Sequence, residues 1–185
     1  AERELRRRRV DICVGERVES VSVERDGVSV VSASGRLWTA DRVVLATHAP
    51  ESLRALEAGG GADPELLEVL RAVPYQPNRV VLHSDARLMP RSRHAWASWN
   101  VLRSAAAAPG DALCVTYWLN RLQNLPADAP LLLCTLNPPF EPRGVVRADL
   151  VLDHPVLTSE AVAAQRRLAE LQSRAHSRVL LAGAW

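Results

Sequence analysis

Lysine is absent from the 185 residues, so every formally basic side chain is an arginine. A step that needs a side-chain amine, such as Schiff-base chemistry, has no residue in this chain to perform it. Long apolar runs are missing too. No stretch approaches the roughly 20 residues that a membrane helix requires, so no integral membrane segment is expected. Cysteine is scarce: Cys13, Cys114 and Cys134 are odd in number and far apart. That spacing gives no disulfide framework and no CxxC metal site, and it leaves reduced thiols in a cytoplasmic protein as the expectation. The net charge of +2 is too small to imply a nucleic-acid partner. Arg6 to Arg9 form a basic run without aromatic neighbours and read as a solvated helix end. His83, His94, His154 and His176 share no metal-ligand spacing, so a zinc site is not expected. Neither a start methionine nor a signal-like segment opens the chain.

What is present is a core. Hydrophobic residues make up 48% of the chain, which argues for a folded domain, or parts of two, rather than disorder. Residues 1–9 read as the tail of a helix. From Val18 to Val31 the pattern has period two, and the turn Arg25-Asp26-Gly27 supplies hairpin chemistry. A second turn at Ser34-Gly35 leads to the run Arg42 to Thr47. That run is β-branched and apolar without alternation, as in a parallel strand covered on both faces. Pro50 suits the first turn of a helix over 51–58, ended by Gly59-Gly60-Gly61. A second helix follows, with Asp63 as N-cap and Pro64 at its first position. Beyond Pro74 and Pro77 come strand-like runs at 78–84, 94–102, 112–121, 130–136 and 145–152. An amphipathic helix is predicted over about 159–174, and then a strand from Arg178 that ends in the small-residue turn before Trp185. The last strand carries its exit turn but no partner helix, and this sequence reads as an interior piece truncated at both termini.

Several blocks carry a resemblance. They are Asp41-Arg-Val-Val-Leu-Ala-Thr-His-Ala-Pro50, Tyr75-Gln-Pro-Asn-Arg-Val-Val-Leu-His83, Ala95-Trp-Ala-Ser-Trp-Asn100 and Val115-Thr-Tyr-Trp-Leu-Asn-Arg-Leu-Gln123, followed by Asp153-His-Pro-Val156 and Leu181-Ala-Gly-Ala-Trp185. In this order they are similar to the bacterial NAD/FAD-binding, flavin-containing amine oxidoreductase-like proteins. That family is a branch of the monoamine oxidase and phytoene desaturase superfamily. The resemblance implies an α/β (α+β) fold: part of an FAD-binding Rossmann-type domain with a β-meander, plus a mixed or antiparallel sheet that covers the flavin and shapes the substrate site. It places the FAD-binding part at 1–58, the substrate sheet at 59–157, and a returning helix and strand at 158–185.

FAD is the cofactor so implied, and a small molecule the substrate; the oligomeric state is left open. The usual GxGxxG turn, whose amides receive the pyrophosphate, has no match here, because Gly59-Gly60-Gly61 lies between two helices. Carried over position by position, the cofactor side falls on Val18, through its backbone, on Ala46 and Thr47 at a strand end, and on Gly183, Ala184 and Trp185. His48 stands where the superfamily has a glycine. Val18 also reads as an ordinary strand valine, and His48 as a loop histidine.

The substrate side is read from alternation. Trp96, Ser98 and Asn100 share one strand face, and Thr116, Trp118 and Asn120 share another with Cys114. Aromatic panels with a few hydroxyls and amides suit a pocket wall; a solvent-facing sheet with scattered aromatics is the other reading. The function implied is hydride removal from a C–H bond of a small amine, or of a lipid-like or unsaturated substrate, to flavin N5. The alternatives are a non-enzymatic sheet domain that grips an apolar ligand and an inactive truncated product.

Overall fold

The computed structural model describes residues 2–103, 113–174 and 176–183, which form two compact units. The first comprises residues 1–74 and 155–185, and the second residues 75–154.

In the first unit, α1 (Glu2–Arg7) is a short exposed helix. Strands β1 (Val18–Val23), β2 (Val28–Ser32) and β3 (Leu37–Ala40) form an antiparallel meander, turning at Asp26-Gly27 and at Ser34-Gly35 as their turn chemistry predicts. The step of three from Val18 to Val21 breaks period two. A bulge between Val18 and Ser20 absorbs it, so that Val21, Val23, Val28 and Val30 lie on one face.

Helix α2 (Ala49–Gly59) packs that face against β1. The approach is close enough that a Cβ on Gly59 would stand 2.2 Å from the Val21 carbonyl carbon, and one on Gly61 2.0 Å from the Val23 oxygen. The triple glycine is therefore a contact surface as well as a helix stop. Helix α3 (Pro64–Arg71) begins as expected, with the Asp63 carboxylate accepting from the Glu65 N–H at 2.9 Å. It packs on α2 and on α5 (Ser159–Ser173). Residues 59–74 thus cluster with the first unit, whereas the sequence grouped them with the sheet.

Strand β4 (Val43–Leu45) pairs in parallel with β10 (Val179–Leu181). The run was read as a parallel strand, and β4 is one, but burial on both faces is not found. Leu45, Val179 and Leu181 are buried on one face, while Val44 on the other is 59% exposed.

The second unit is a five-stranded sheet in the order β6-β7-β8-β5-β9. Its strands are β5 (Tyr75–His83), β6 (Trp99–Leu102), β7 (Cys114–Trp118), β8 (Leu133–Leu136) and β9 (Val146–Pro155). The pairs β6–β7, β7–β8 and β8–β5 are antiparallel. Several predicted strands are shorter than read, β8 (read over 130–136) among them. Residues 93–95 form a 3₁₀ turn rather than the start of a strand, and Leu119–Leu122 form a one-turn helix, α4. The α4 turn has a local cause. The Asn120 side chain donates to Pro130 O at 2.8 Å and accepts from Leu132 N at 2.7 Å, which bends the chain away from the sheet.

Candidate functional site

In open parallel sheets, ligands lie outside the carboxyl ends of the strands. The carboxyl ends of β4 and β10 are tied together by Ala182 N–H, which donates to Leu45 O at 3.0 Å. Ala46 and Thr47 leave β4 at this edge, and Gly183 leaves β10. All three are exposed. The pairing thus brings together three of the predicted cofactor residues. Val18 stands instead at the start of β1 in the meander, paired with Ser32 and 40% exposed. Ala184 and Trp185 lie outside the described residues.

The edge fits part of a dinucleotide and not all of it. Ala46, Ala182 and Gly183 are small and exposed, so backbone groups there are open to close approach. The nearby N-terminus of α2 is a different matter. Its cap N–H, on His48, donates to the Glu51 carboxylate at 3.2 Å. A carboxylate of the chain thus sits where a pyrophosphate would need free N–H groups. Thr47 is likewise engaged, with its Oγ1 at 2.8 Å from Ser52 Oγ.

A cavity of ≈ 520 Å³ opens in this unit among Val23, Arg25, Asp63, Arg174, His176 and Arg178. Arg178 immediately precedes β10, so this cavity lies at the amino end of that strand, opposite the edge just described. Its arginines serve the fold. Arg174 bonds Asp63 at 3.1 Å and Glu65 at 2.7 Å, and Arg178 donates to Arg25 O at 2.6 Å and Asp41 O at 3.2 Å.

In the second unit the two sheet faces differ sharply. Val81, His83, Asn100, Thr116, Leu133 and Thr135 are buried on one of them, with Leu88, Met89 and Trp96 also buried. Most of the predicted pocket residues lie on this side. Trp96 is 7% exposed and donates from Nε1 to Pro90 O at 2.8 Å. Asn100 accepts from Ala97 N at 3.0 Å and donates to Ala97 O at 2.7 Å and Thr116 O at 3.3 Å. Ser98, half-buried, accepts the Trp118 backbone N–H on its carbonyl at 2.9 Å.

Thr116 is fully buried, with its Oγ1 2.9 Å from that of Thr135. Thr135 lies 2.7 Å from His83 Nε2, and His83 Nδ1 accepts from Asp85 N–H at 3.0 Å. That last bond leaves the imidazole proton on Nε2, donating to Thr135. Burial pushes the His83 pKa down, with the Asp85 charge opposing. Asp85 itself is held well below the carboxylate range, first by Arg87. Hydroxyls and an amide were read as signs of a pocket wall because buried polar groups need partners. Here they partner one another and the backbone, and the face is a core.

The open face is the opposite one. Registered pairing sets Trp99 beside Tyr117 and Val101 beside Val115, continuing to Cys134 and Leu136 on β8 and then to Leu82 and Val80 on β5. Trp99 and Val101 are each 65% exposed, and the others are half-buried. The Trp99 and Tyr117 rings meet edge to face, with centroids 5.4 Å apart. Alternation along the sequence puts these residues on the strands and the expected pocket wall on the other face. The missing signal lay in 84–98, an irregular stretch whose Leu88, Met89 and Trp96 supply the covering side chains.

Two predicted residues do border a cavity. Trp118 and Asn120 line a cleft of ≈ 340 Å³ with Arg93, Arg121, Leu125 and Leu131.

Comparison with known proteins agrees with this architecture. The chain is similar over 95% of its length to a crystal structure named as a candidate protoporphyrinogen oxidase, from Exiguobacterium sp. 255-15, at 15% identity and a TM-score of 0.53. It is also similar over 91% of its length to the CLA-producing fatty acid isomerase of P. acnes, at 12% identity and a TM-score of 0.47. The chain spans only 43% and 42% of those two structures. No curated protein matches. The family model for flavin containing amine oxidoreductase matches residues 1–136, and on that match the chain belongs to the flavin-containing amine oxidoreductases, a family of FAD-dependent enzymes.

Proposed function

We propose that this chain supplies one edge of the FAD site and the substrate-side sheet of an oxidoreductase. The observation that carries the reading is the open carboxyl edge of the parallel β4–β10 pair, in a chain of this family. When bound, FAD supplies the hydride acceptor at N5, with reoxidation by oxygen or another acceptor. The chain's own part is to bind and to exclude water. Ala46 and Gly183 let backbone approach the dinucleotide, with Thr47 beside them; Val18, Ala184 and Trp185 complete the assignment. Glu51 keeps the α2 N-terminus from serving as the phosphate site.

On the substrate side, residues 75–154 offer the apolar face of Trp99, Val101, Val115 and Tyr117. Such a face favours a lipid-like or unsaturated substrate over a charged amine, because it offers no group to pair with an ammonium. No lysine is available here to sit near N5. The free thiols Cys13, Cys114 and Cys134 suit a cytoplasmic protein. None of the described helices is long and apolar enough to cross a membrane.

The test is flavin content. The product of the complete open reading frame is expected to purify with FAD, and Ala46→Leu in it to lower flavin occupancy at least several-fold with the fold intact. A folded product that takes up an apolar ligand but never flavin supports instead the alternative of a non-enzymatic binding sheet, for which the exposed Trp99 face is the specific observation.

A further inference from the structure

The cleft bordered by Trp118 in the second unit has a composition that the fold alone does not require. Its lining includes two arginines, Arg93 and Arg121, and no acidic residue. Neither arginine has an ion-pair partner among the described residues, although Arg79, Arg87, Arg167 and Arg174 all have them.

Both guanidiniums are fixed through one residue. Arg93 lies over the Trp96 ring at 4.5 Å, and Arg121 donates to Trp96 O at 3.3 Å. Trp96 is held in turn by its bond to Pro90 O and by edge-to-face contact with Trp118, centroids 5.3 Å apart. Two like charges are thus anchored on a rigid aromatic pair beside a cleft with no counter-charge on its walls. Trp118 is one of the walls, but its indole N–H is sealed from solvent and is not open to a ligand there. The remaining lining is apolar or small: Leu125, Pro126, Ala127, Ala129 and Leu131. Asn120 also lines the cleft, but its amide is committed to Pro130 O and Leu132 N.

We propose that this cleft binds an oxyanion carried on an apolar chain. Arg93 and Arg121 take the oxyanion, and Leu125, Pro126 and Leu131 take the chain. Guanidinium forks suit planar carboxylates, and the volume suits a small ligand. The inference stands without the flavin reading, since every residue it uses lies within the second unit.

The probes are octanoate, its neutral analogue octanamide, and acetate. Each is titrated by calorimetry and tryptophan fluorescence into the product of the complete open reading frame. Octanoate is expected to bind saturably, at least tenfold more tightly than octanamide or acetate, and more weakly as salt rises. Arg93→Gln and Arg121→Gln should each weaken it about tenfold. Near-UV circular dichroism checks that each variant is folded. Equal affinity for octanoate and octanamide overturns the proposal. So does octanoate binding that neither arginine variant changes. If acetate matches octanoate, the apolar part of the assignment fails. Should the variants not fold, the salt dependence in the unmodified protein decides: binding indifferent to salt overturns the assignment to the arginines.

Discussion

Gly59 and Gly61 end α2 against β1 at distances that leave no space for a side chain. Gly59→Ala is expected to destabilise the first unit by about 3 kcal/mol, because its Cβ meets backbone that cannot rotate away. Urea unfolding measures this, and an unchanged midpoint would refute the close packing. His83 gives a second prediction at this scale. Burial lowers its pKa from the ordinary 6.5. The folded chain therefore resists a proton that the unfolded chain accepts. Stability is at its full value above pH 6.5 and falls as pH drops through that value, until the folded imidazole also titrates. Equal unfolding midpoints at pH 7.5 and near 5.5 would contradict the buried neutral imidazole. Thr135→Val removes the acceptor of its Nε2 proton and should cost about 1–3 kcal/mol. At this scale much was legible in advance: Asp63 before Pro64 caps its own helix through the Glu65 N–H, and Asp26-Gly27 sets a tight turn between adjacent strands. His83 was not, since its partner Thr135 is 52 residues away.

At the scale of elements, helices and hairpins followed from short-range signals, and strand limits did not. The β6 strand begins only after a turn that Asn100 pins through both side-chain atoms. Asn100→Ala is expected to cost about 1–3 kcal/mol and to loosen β6 first, visible as faster amide exchange at Asn100 to Leu102 than at β8. Uniform acceleration across the sheet would argue against a local pin. Alternation along β6 and β7 told correctly which residues share a face. It could not tell which face is covered, because Trp99 and Tyr117 are as apolar as Trp96 and Trp118. Only the covering residues of 84–98 decide that, and such irregular segments have no periodicity to read.

At the scale of the whole molecule, the parallel pair β4–β10 joins residues more than a hundred positions apart and sets Ala46 beside the exit of β10. The apolar run of β4 marked a parallel strand, but its partner, more than a hundred positions away, had no local signal. On the proposed function, the exposed small residues at this edge hold part of an FAD site. Flavin absorbance of the purified product of the complete open reading frame, compared with that of its Ala46→Leu and Gly183→Val variants, tests it most directly. The expected result is a yellow protein whose FAD is released on denaturation, with variants that are folded yet largely colourless. A folded, colourless parent that stays colourless after incubation with FAD, or variants as yellow as the parent, would contradict it.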